Sequence, residues 1–327
     1  MPKRAVFCGL GAGIPERVLS NADLEKLVDT SDEWIMARTG IKERRIASPG
    51  EESSVLCIRA AREALAQADM DPQEVDLIVV GTVTGETTFP STACRVQKGL
   101  GIERCTAFDI GAACAGFVFG GAIASSLFHM GTHRTALVIG VEVLSKITDY
   151  GDRSTCVLFG DGAGAALLRA EDGDRGILAS CLMTDGSGAD LIQLSYGLPK
   201  KHLDGALETP IHGTITMEGQ EVFRFAVKAL ADACFRSLEM AGLTPADVNL
   251  FVPHQANLRI IRSSMEKLEL DEDRVYLNIE KYGNTSSASI PIALWEAERA
   301  GRIKRGDIVL TVGFGAGLAW GANVIRW

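Results

Sequence analysis

Cys114 is the residue of this sequence whose type and setting most strongly indicate chemistry. It follows a Gly-Ala-Ala turn and precedes a run of small and apolar residues that is typical of a helix. A thiol at the N-terminus of a helix lies at the positive end of the helix dipole, which favours the thiolate, and the thiolate is the nucleophilic form. We therefore interpret Cys114 as a nucleophile. The other seven cysteines are expected to be small, inert core residues.

His254 and Asn284 are polar residues in settings that suit a catalytic pocket. His254 directly follows an apolar segment at 250–252, and functional side chains of α/β folds commonly stand at the carboxyl ends of parallel strands. A satisfied core histidine fits this position equally well. Asn284 lies in a turn rich in Gly, Asn and Ser, where a plain turn residue or a helix N-cap is the ordinary alternative.

Two glycine-rich segments, FGDGAG from Phe159 and FGAG from Phe314, do not have the pattern of a phosphate-binding loop. They lack the lysine of a P-loop and do not fit G-x-G-x-x-G. Around Ala316, the flanking glycines would instead let backbone N–H groups approach a reacting oxygen, as an oxyanion hole requires.

Strands and helices alternate along the chain. These elements must bring Cys114, His254 and Asn284 into one pocket if the three act together. Helical spacing of apolar side chains predicts a helix at 53–68. Short apolar segments predict buried strands at 7–10, 75–81, 135–141, 163–168, 250–252 and 308–312. This alternation predicts an α/β fold.

The two halves of the chain resemble each other. DPQEVDLIVVG from Asp71 parallels TPADVNLFVPH from Thr244, and FGDGAGAALL parallels FGAGLAWGANVI in the same order. This pattern predicts a duplicated α/β unit with pseudo-two-fold symmetry, one half at 1–172 and the other at 173–327. In this alignment Cys114 occupies the position of Asn284, each before an apolar helix (about 114–130 and 286–300), so the two residues are expected to face each other.

Composition and charge exclude several classes of function. The net charge of −9 provides no global basic field for nucleic acid. No apolar run approaches the ~20 residues of a transmembrane helix, and the N-terminus has no signal-peptide pattern. Neither C-x-x-C nor a Cys/His set with zinc spacing occurs. We therefore expect a cytoplasmic protein with free thiols, no membrane partner and no metal.

Six segments closely resemble the β-ketoacyl-acyl carrier protein synthase III family. They follow in order along essentially the whole chain: TSDEWIMARTGIKERR (30–45), DIGAACAGF (109–117), FGDGAGA (159–165), VPHQANLRI (252–260), YGNTSSASIP (282–291) and GFGAGLAWG (313–321). The resemblance implies a thiolase-like fold, with two pseudo-two-fold-related α/β halves in five layers (αβαβα), and a homodimer. It implies condensation of a short acyl-CoA with malonyl-acyl carrier protein, which initiates fatty acid biosynthesis. Coenzyme A thioester is then a substrate, and no cofactor is required.

The resemblance also implies roles for residues at matching positions. The catalytic Cys, His and Asn fall on Cys114, His254 and Asn284. The oxyanion hole falls on the backbone N–H groups of Cys114 and Ala316, where the family often has Gly. The coenzyme A contacts fall on Thr30, Trp34, Arg38, Arg153, Gly219 and Asn257.

Contacts with other proteins are implied at two further places. Phe89 matches a residue that lines the acyl pocket of the partner subunit. Docking of the acidic acyl carrier protein needs a basic patch, for which Arg224, Arg259 and Lys267 are the candidates. Glu266 interrupts the second part of this patch, where the family tends to be basic.

Three alternatives stay open on the sequence alone. A sister condensing enzyme would use another starter or acceptor, in polyketide, quinolone or ester formation. A papain-like hydrolase also has Cys, His and Asn in this chain order, but its nucleophile usually lies near the mature N-terminus. A non-catalytic acyl-coenzyme A binding protein is the third alternative. An acyl starter that differs by a methylene or two changes binding by only ~1–3 kcal/mol, so the starter also stays open.

Overall fold

The computed structural model describes residues 3–196, 201–202, 205–206 and 212–327. The strands are β1 (Arg4–Gly13), β2 (Val18–Ser20), β3 (Glu43–Arg45), β4 (Leu77–Gly81), β5 (Thr106–Ile110), β6 (Thr135–Glu142), β7 (Gly162–Glu171), β8 (Gly176–Thr184), β9 (Ile192–Tyr196), β10 (Lys201–His202), β11 (Gly205–Ala206), β12 (His212–Met217), β13 (Leu250–Pro253), β14 (Ile308–Gly315) and β15 (Ala319–Arg326). The helices are α1 (Asn21–Leu24), α2 (Asp32–Thr39), α3 (Ser53–Gln67), α4 (Thr92–Leu100), α5 (Gly116–His129), α6 (Arg153–Cys156), α7 (Gly219–Met240), α8 (Leu258–Leu268), α9 (Ile279–Tyr282) and α10 (Ser289–Arg299). The predicted helix and the six predicted strands are present, with shifts of a few residues at their ends.

Two sheets with the same strand order form the frame of the molecule. The first has the order β1-β7-β6-β4-β5, and the second has the order β8-β15-β14-β13. The fourth strand in each order is parallel to the third: β4 pairs with β6, with Leu77 opposite Ala136, and β13 pairs with β14, with Leu250 opposite Val309. The first sheet has β5 as a fifth strand beside β4. At the equivalent place beside β13, the second sheet has a single parallel bridge between Phe251 and Val275. The predicted duplication is therefore visible in the topology, while the division of the chain at 172 stays a prediction.

Burial explains why the inner strands are continuous apolar runs. Every residue of β4, β6 and β14 is buried, because these strands have helices or the other sheet on both faces. β5 differs, since it is an edge strand and its residues are only half-buried or exposed. None of the helices in the described ranges is long and apolar enough to cross a membrane.

Glycines of the sheets lie directly beneath the N-terminal ends of the helices α5 and α10, which approach the strands closely. Each is preceded by one 3₁₀ turn, Ala113–Ala115 before α5 and Ser286–Ala288 before α10. A Cβ on Gly140 would lie 2.1 Å from the backbone oxygen of Ser287, and one on Gly313 would lie 3.1 Å from that of Cys114. The two contacts are equivalent in the two halves, so the glycines seat both turns against their strands.

This geometry corrects the alignment of the two halves around Cys114. Ala113 and Ser286 are the first residues of the two 3₁₀ turns, and both have positive φ, 44° and 50°. The counterpart of Cys114 is therefore Ser287, and the predicted pairing of Cys114 with Asn284 was wrong by three residues. Cys114 also lies in the 3₁₀ turn before α5 and does not itself open the α-helix. The sequence misplaced the match because the turn residues differ between the halves.

The substitution Gly140→Ala tests this close approach. We expect the free energy of unfolding to fall by about 3 kcal/mol, the upper end for an overpacked core, because the new Cβ meets backbone that cannot move aside. Thermal and denaturant unfolding would measure the change. Gly186→Ala is the matched control, because a Cβ there has no described atom within 4 Å. Equal stability of Gly140→Ala and the parent protein would contradict the expectation.

Candidate active site

Cys114, His254 and Asn284 line one cavity of about 400 Å³. Cys114 follows β5, His254 follows β13, and Asn284 precedes the Ser286–Ala288 turn. The structure thus brings together three residues that are far apart in sequence. Apolar side chains form most of the remaining wall: Val83, Leu144, Ile147, Leu158, Phe159, Ile192, Leu194, Ile215, Met217, Val222, Phe223, Ile260 and Phe314.

Cys114 is held as a neutral thiol in the resting protein. Burial raises the pKa of its thiol to about 12, while the neighbouring Ser286 hydroxyl lowers the pKa and the Glu142 carboxylate raises it. The sequence predicted that the helix dipole would favour a thiolate. The N-terminus of α5 does follow Cys114, but desolvation is the largest influence on the pKa of its thiol, so the neutral thiol is the favoured resting form.

His254 is a buried, neutral imidazole. Burial lowers its pKa to about 3. Its Nδ1 lies 2.7 Å from the Ser289 hydroxyl oxygen, which also accepts the N–H of Gln255 at 3.3 Å. Both hydrogen bonds form when the Ser289 hydroxyl accepts the Gln255 N–H and donates its own proton to Nδ1 of His254. Nε2 then carries the other proton and is available as a donor to the cavity that His254 lines.

Asn284 is fixed by its backbone and by its side-chain oxygen. Its N–H donates to the Leu158 carbonyl at 2.9 Å, and its carbonyl accepts the N–H of Gly160 at 3.0 Å. The side-chain Oδ1 accepts the backbone N–H of Ser286 at 2.8 Å. Because a backbone N–H can only donate, this contact identifies the oxygen of the amide and leaves Nδ2 as the free donor.

Gly315 and Ala316 stand next to the Cys114 backbone. A Cβ on Gly315 would lie 2.7 Å from the nitrogen of Cys114, and Ala316 lines the cavity beside it. The backbone at 315–316 therefore lies against the backbone of Cys114. This is the arrangement in which N–H groups of Cys114 and Ala316 can stabilise a developing oxyanion.

The residues expected at coenzyme A gather on one side of the cavity. The guanidinium groups of Arg38 and Arg153 lie 5.9 Å and 5.1 Å from the centre of the Trp34 ring, which is 36 % exposed. Asn257 lines the cavity and donates its Nδ2 to the Arg38 carbonyl at 3.0 Å, which links this cluster to the pocket. Gly219 lines the cavity as well. The buried Oγ1 of Thr30 has no hydrogen-bond partner among the described residues.

The three residues expected to bind the carrier protein lie on two packed helices, α7 and α8. Arg224 pairs with Glu221 at 2.5 Å, and Arg259 lies 5.2 Å from the centre of the Phe223 ring. Lys267 donates to the Val227 carbonyl at 2.8 Å. Because Phe223 also lines the cavity, this basic surface adjoins the pocket.

Phe89 does not line the cavity of its own chain. Its side chain is 84 % exposed, the highest exposure among the large apolar residues described. Such a residue is free to contact a second chain.

Sequence reasoning missed three polar residues around the pocket: Ser286, Ser289 and Glu142. Burial raises the pKa of Glu142 to about 7, while donors from Thr84, Val83, Thr82 and Ser286 lower it. The two serines lie in the segment YGNTSSASIP, which the sequence described only as a turn. Glu142 directly follows the strand predicted at 135–141 and ends β6, and a carboxylate directly after an apolar strand was the signal that could have identified it. Asp161, in the glycine-rich segment that begins at Phe159, is also buried, and its carboxylate accepts from the backbone N–H groups of Ala47 and Ser145 and from the Ser145 hydroxyl.

Within the described ranges, no group of three or more His, Cys, Asp or Glu side chains is arranged to hold a metal ion.

Comparisons with known proteins agree along the whole chain. Two family models match, 3-oxoacyl-[acyl-carrier-protein] synthase III over residues 108–186 and its C-terminal part over residues 238–327. A beta-ketoacyl-[acyl-carrier-protein] synthase III of Caldanaerobacter subterraneus is 52% identical over 326 residues, which cover 99% of this chain and 98% of that protein. Another, of Rhodospirillum centenum, is 52% identical and matches 100% of both chains. The crystal structure of 3-oxoacyl-[acyl-carrier-protein] synthase III from Aquifex aeolicus has a TM-score of 0.91 at 46% identity, covering 99% of this chain and 100% of that one.

The protonation of His254 can be tested by pH titration. We expect its ¹⁵N resonances to show a neutral imidazole, protonated at Nε2, from about pH 5 to pH 8, because a free histidine titrates near 6.5 and burial lowers this pKa to about 3. The unfolded chain takes up this proton at higher pH than the folded chain, so this residue makes the protein less stable as pH falls from about 6.5 towards 3. His254→Asn would identify the resonances, and a midpoint near 6.5 in the folded protein would contradict the assignment.

Proposed function

The chain belongs to the β-ketoacyl-acyl carrier protein synthase III family, and we propose that Cys114, His254 and Asn284 carry out the family's reaction. The protein is a condensing acyltransferase of the initiation of fatty acid biosynthesis. Membership of this family rules out the papain-like hydrolase and the non-catalytic binding protein. The observation that carries the assignment of residues is the single cavity shared by a thiol, two neutral N–H donors and a backbone oxyanion site.

The first half-reaction transfers a short acyl group from coenzyme A to Cys114. The sulfur attacks the thioester carbonyl carbon, and the oxygen that becomes negative accepts from the N–H groups of Cys114 and Ala316. Collapse of the tetrahedral intermediate breaks the bond to the coenzyme A sulfur. The thiol proton leaves with coenzyme A, so the products are acyl-Cys114 and the free thiol of coenzyme A.

The second half-reaction joins malonyl-acyl carrier protein to the acyl group. Loss of carbon dioxide leaves an enolate, whose oxygen accepts from Nε2 of His254 and Nδ2 of Asn284. The enolate carbon attacks the carbonyl carbon of acyl-Cys114 and expels the sulfur as a thiolate, which takes a proton from solvent, and the product is the β-ketoacyl thioester of the carrier protein. Two neutral donors suit this step, because a cationic imidazole would stabilise the malonyl carboxylate of the ground state. The scheme uses only protein N–H groups and a thiol, and requires no metal or redox cofactor.

The cluster of Trp34, Arg38 and Arg153 is proposed to bind coenzyme A. An indole flanked by two guanidinium groups suits an adenine ring that stacks and phosphates that pair with the cations. The unpaired Thr30 hydroxyl supplies a further polar contact, and Asn257 with Gly219 would adjoin the pantetheine arm that leads to Cys114.

We propose that the active enzyme is a homodimer in the cytoplasm. The edge strand β5 has one side unpaired among the described strands, and beside it α5 leaves Phe119 and Ile123 only half-buried although it is a central helix. A second copy would cover both features. Phe89 would then reach the partner's cavity, where Val83 is 42 % exposed.

Acylation of Cys114 is the first test of the proposed function. We expect a panel of short acyl-coenzyme A esters to add one acyl group to the intact protein, because the half-buried Cys114 lines the cavity beside the proposed oxyanion donors. Intact mass spectrometry would detect the adduct, and the best donor in the panel would identify the starter. The adduct should be lost in Cys114→Ser and kept in Cys94→Ser, whose thiol is exposed. An adduct that persists in Cys114→Ser would contradict the scheme.

Charge reversal on α7 and α8 tests carrier-protein docking. We expect Arg224→Glu and Lys267→Glu each to raise KM for malonyl-acyl carrier protein roughly 10-fold, because a like charge opposes an acidic partner. Acylation by acyl-coenzyme A should stay unchanged. Arg236→Glu is the control, since this arginine pairs with Asp232 about three turns further along α7. An equal rise of KM in the control would show that overall charge, and not this surface, is responsible.

A further inference from the structure

Glu142 is a fully buried carboxylate beside the active site to which neither half-reaction assigns a role. It ends β6 and is 0 % exposed. The loop at 82–84, which follows β4, donates to it from the Val83 N–H at 3.2 Å and from the hydroxyls of Thr82 and Thr84. The Ser286 hydroxyl donates to it from the opposite side at 3.4 Å. Glu142 therefore joins two segments that border the cavity.

The segment on the far side of Glu142 carries Asn284. Ser286 has φ 50°, a conformation that costs energy in residues other than glycine. Such a conformation persists only when the surrounding structure holds it in place. The N–H of the same residue donates to Oδ1 of Asn284 at 2.8 Å and so orients the amide. Ser287 adds a second anchor, because its hydroxyl donates to the Gly81 carbonyl at 2.6 Å and lies 3.5 Å from Glu142. The orientation of Asn284 thus depends on a strained turn that is fixed by its hydroxyls.

The other half of the molecule shows what this position looks like without a carboxylate. β6 and β14 are equivalent strands of eight residues, and Gly315 ends β14 where Glu142 ends β6. Gly315 has no side chain, which leaves room for the Cys114 backbone and the oxyanion site. The strained residue before Cys114 is Ala113, which has no hydroxyl to bind a carboxylate. The pair of Glu142 and Ser286 therefore belongs to the Asn284 side and is not a requirement of the fold.

We propose that Glu142 is a positioning residue for the condensation half-reaction. It holds Ser286 so that the Asn284 amide keeps its oxygen on the Ser286 N–H and directs its Nδ2 donor at the enolate oxygen. The inference rests on the proposed function and deepens it. Asn284 acts only in the second half-reaction, so the two half-reactions should depend on Glu142 to different extents.

The test separates the two half-reactions in Glu142→Gln, which keeps the shape of the side chain and removes its charge. Rapid-quench intact mass spectrometry measures acylation by acyl-coenzyme A, and consumption of malonyl-acyl carrier protein by the pre-acylated enzyme measures condensation. We expect condensation to slow by roughly 10- to 100-fold, the scale for a misplaced catalytic group. Acylation should not slow, because the Glu142 carboxylate raises the pKa of the Cys114 thiol and its loss does not hinder attack by the sulfur.

A second substitution distinguishes positioning from a general loss of structure. Glycine adopts positive φ without strain, so Glu142→Gln combined with Ser286→Gly should regain part of the condensation rate. If Glu142→Gln does not fold, Ser287→Ala decides, because it removes the second anchor of the turn and leaves the Ser286 hydroxyl beside Cys114 in place, and it should show the same selective loss. Asp76→Asn is the control, since its carboxylate accepts two backbone N–H groups at the opposite end of β4 and β6.

Two results would overturn the proposal: an equal loss in both half-reactions, or a condensation rate that matches the parent protein. Failure of the proposed function itself looks different. In that case the parent protein would form no acyl-Cys114, and the inference would fall with the scheme on which it rests.

Discussion

The close contact between two helix N-termini and the strands beneath them is the constraint on which the rest of this structure depends. Gly140 lets the Ser286–Ala288 turn rest on β6, and Gly313 lets the Ala113–Ala115 turn rest on β14. A methyl group at Gly140 would push its turn away from the strand, and one at Gly313 would tighten an already close contact. Without these contacts the backbone of Cys114 would not meet Gly315, and the donors of the two halves would not share one cavity.

The enzyme uses a symmetric frame in an asymmetric way. Equivalent positions hold Cys114 in one half and Ser287 in the other, and the strand ends hold Gly315 in one half and Glu142 in the other. The Cys114 side is thereby left open for a reacting oxygen, whereas the Ser287 side is closed by hydrogen bonds to Gly81 and Glu142. The two halves thus have similar backbone geometry and differ in a few side chains. One half carries the nucleophile Cys114, and the equivalent position in the other carries Ser287, which anchors the turn that holds Asn284.

The parts of the fold that follow from local sequence were predicted well. Apolar runs identified the inner strands, and long motifs identified the three residues that share the cavity. The sequence did not reveal the partner of Nδ1 of His254, because Ser289 reaches it only through the fold. It also misaligned Cys114 with Asn284, because the similarity of the halves lies in φ angles and strand register and not in the turn residues. The state of the Cys114 thiol depends on burial, which a helix-dipole argument does not include.

The distribution of charge explains how such a buried site can process anionic substrates. Arg38 and Arg153 lie at one part of the cavity mouth, and the basic residues of α7 and α8 lie nearby, so phosphates and an acidic carrier protein can be bound outside the pocket. Inside, apolar side chains surround a neutral thiol and a neutral imidazole. A malonyl carboxylate that enters this environment loses its hydration, which costs free energy, and departure of carbon dioxide transfers the charge to an oxygen that two N–H groups can bind. In the proposed condensation, the apolar wall therefore acts in the same direction as the two N–H donors.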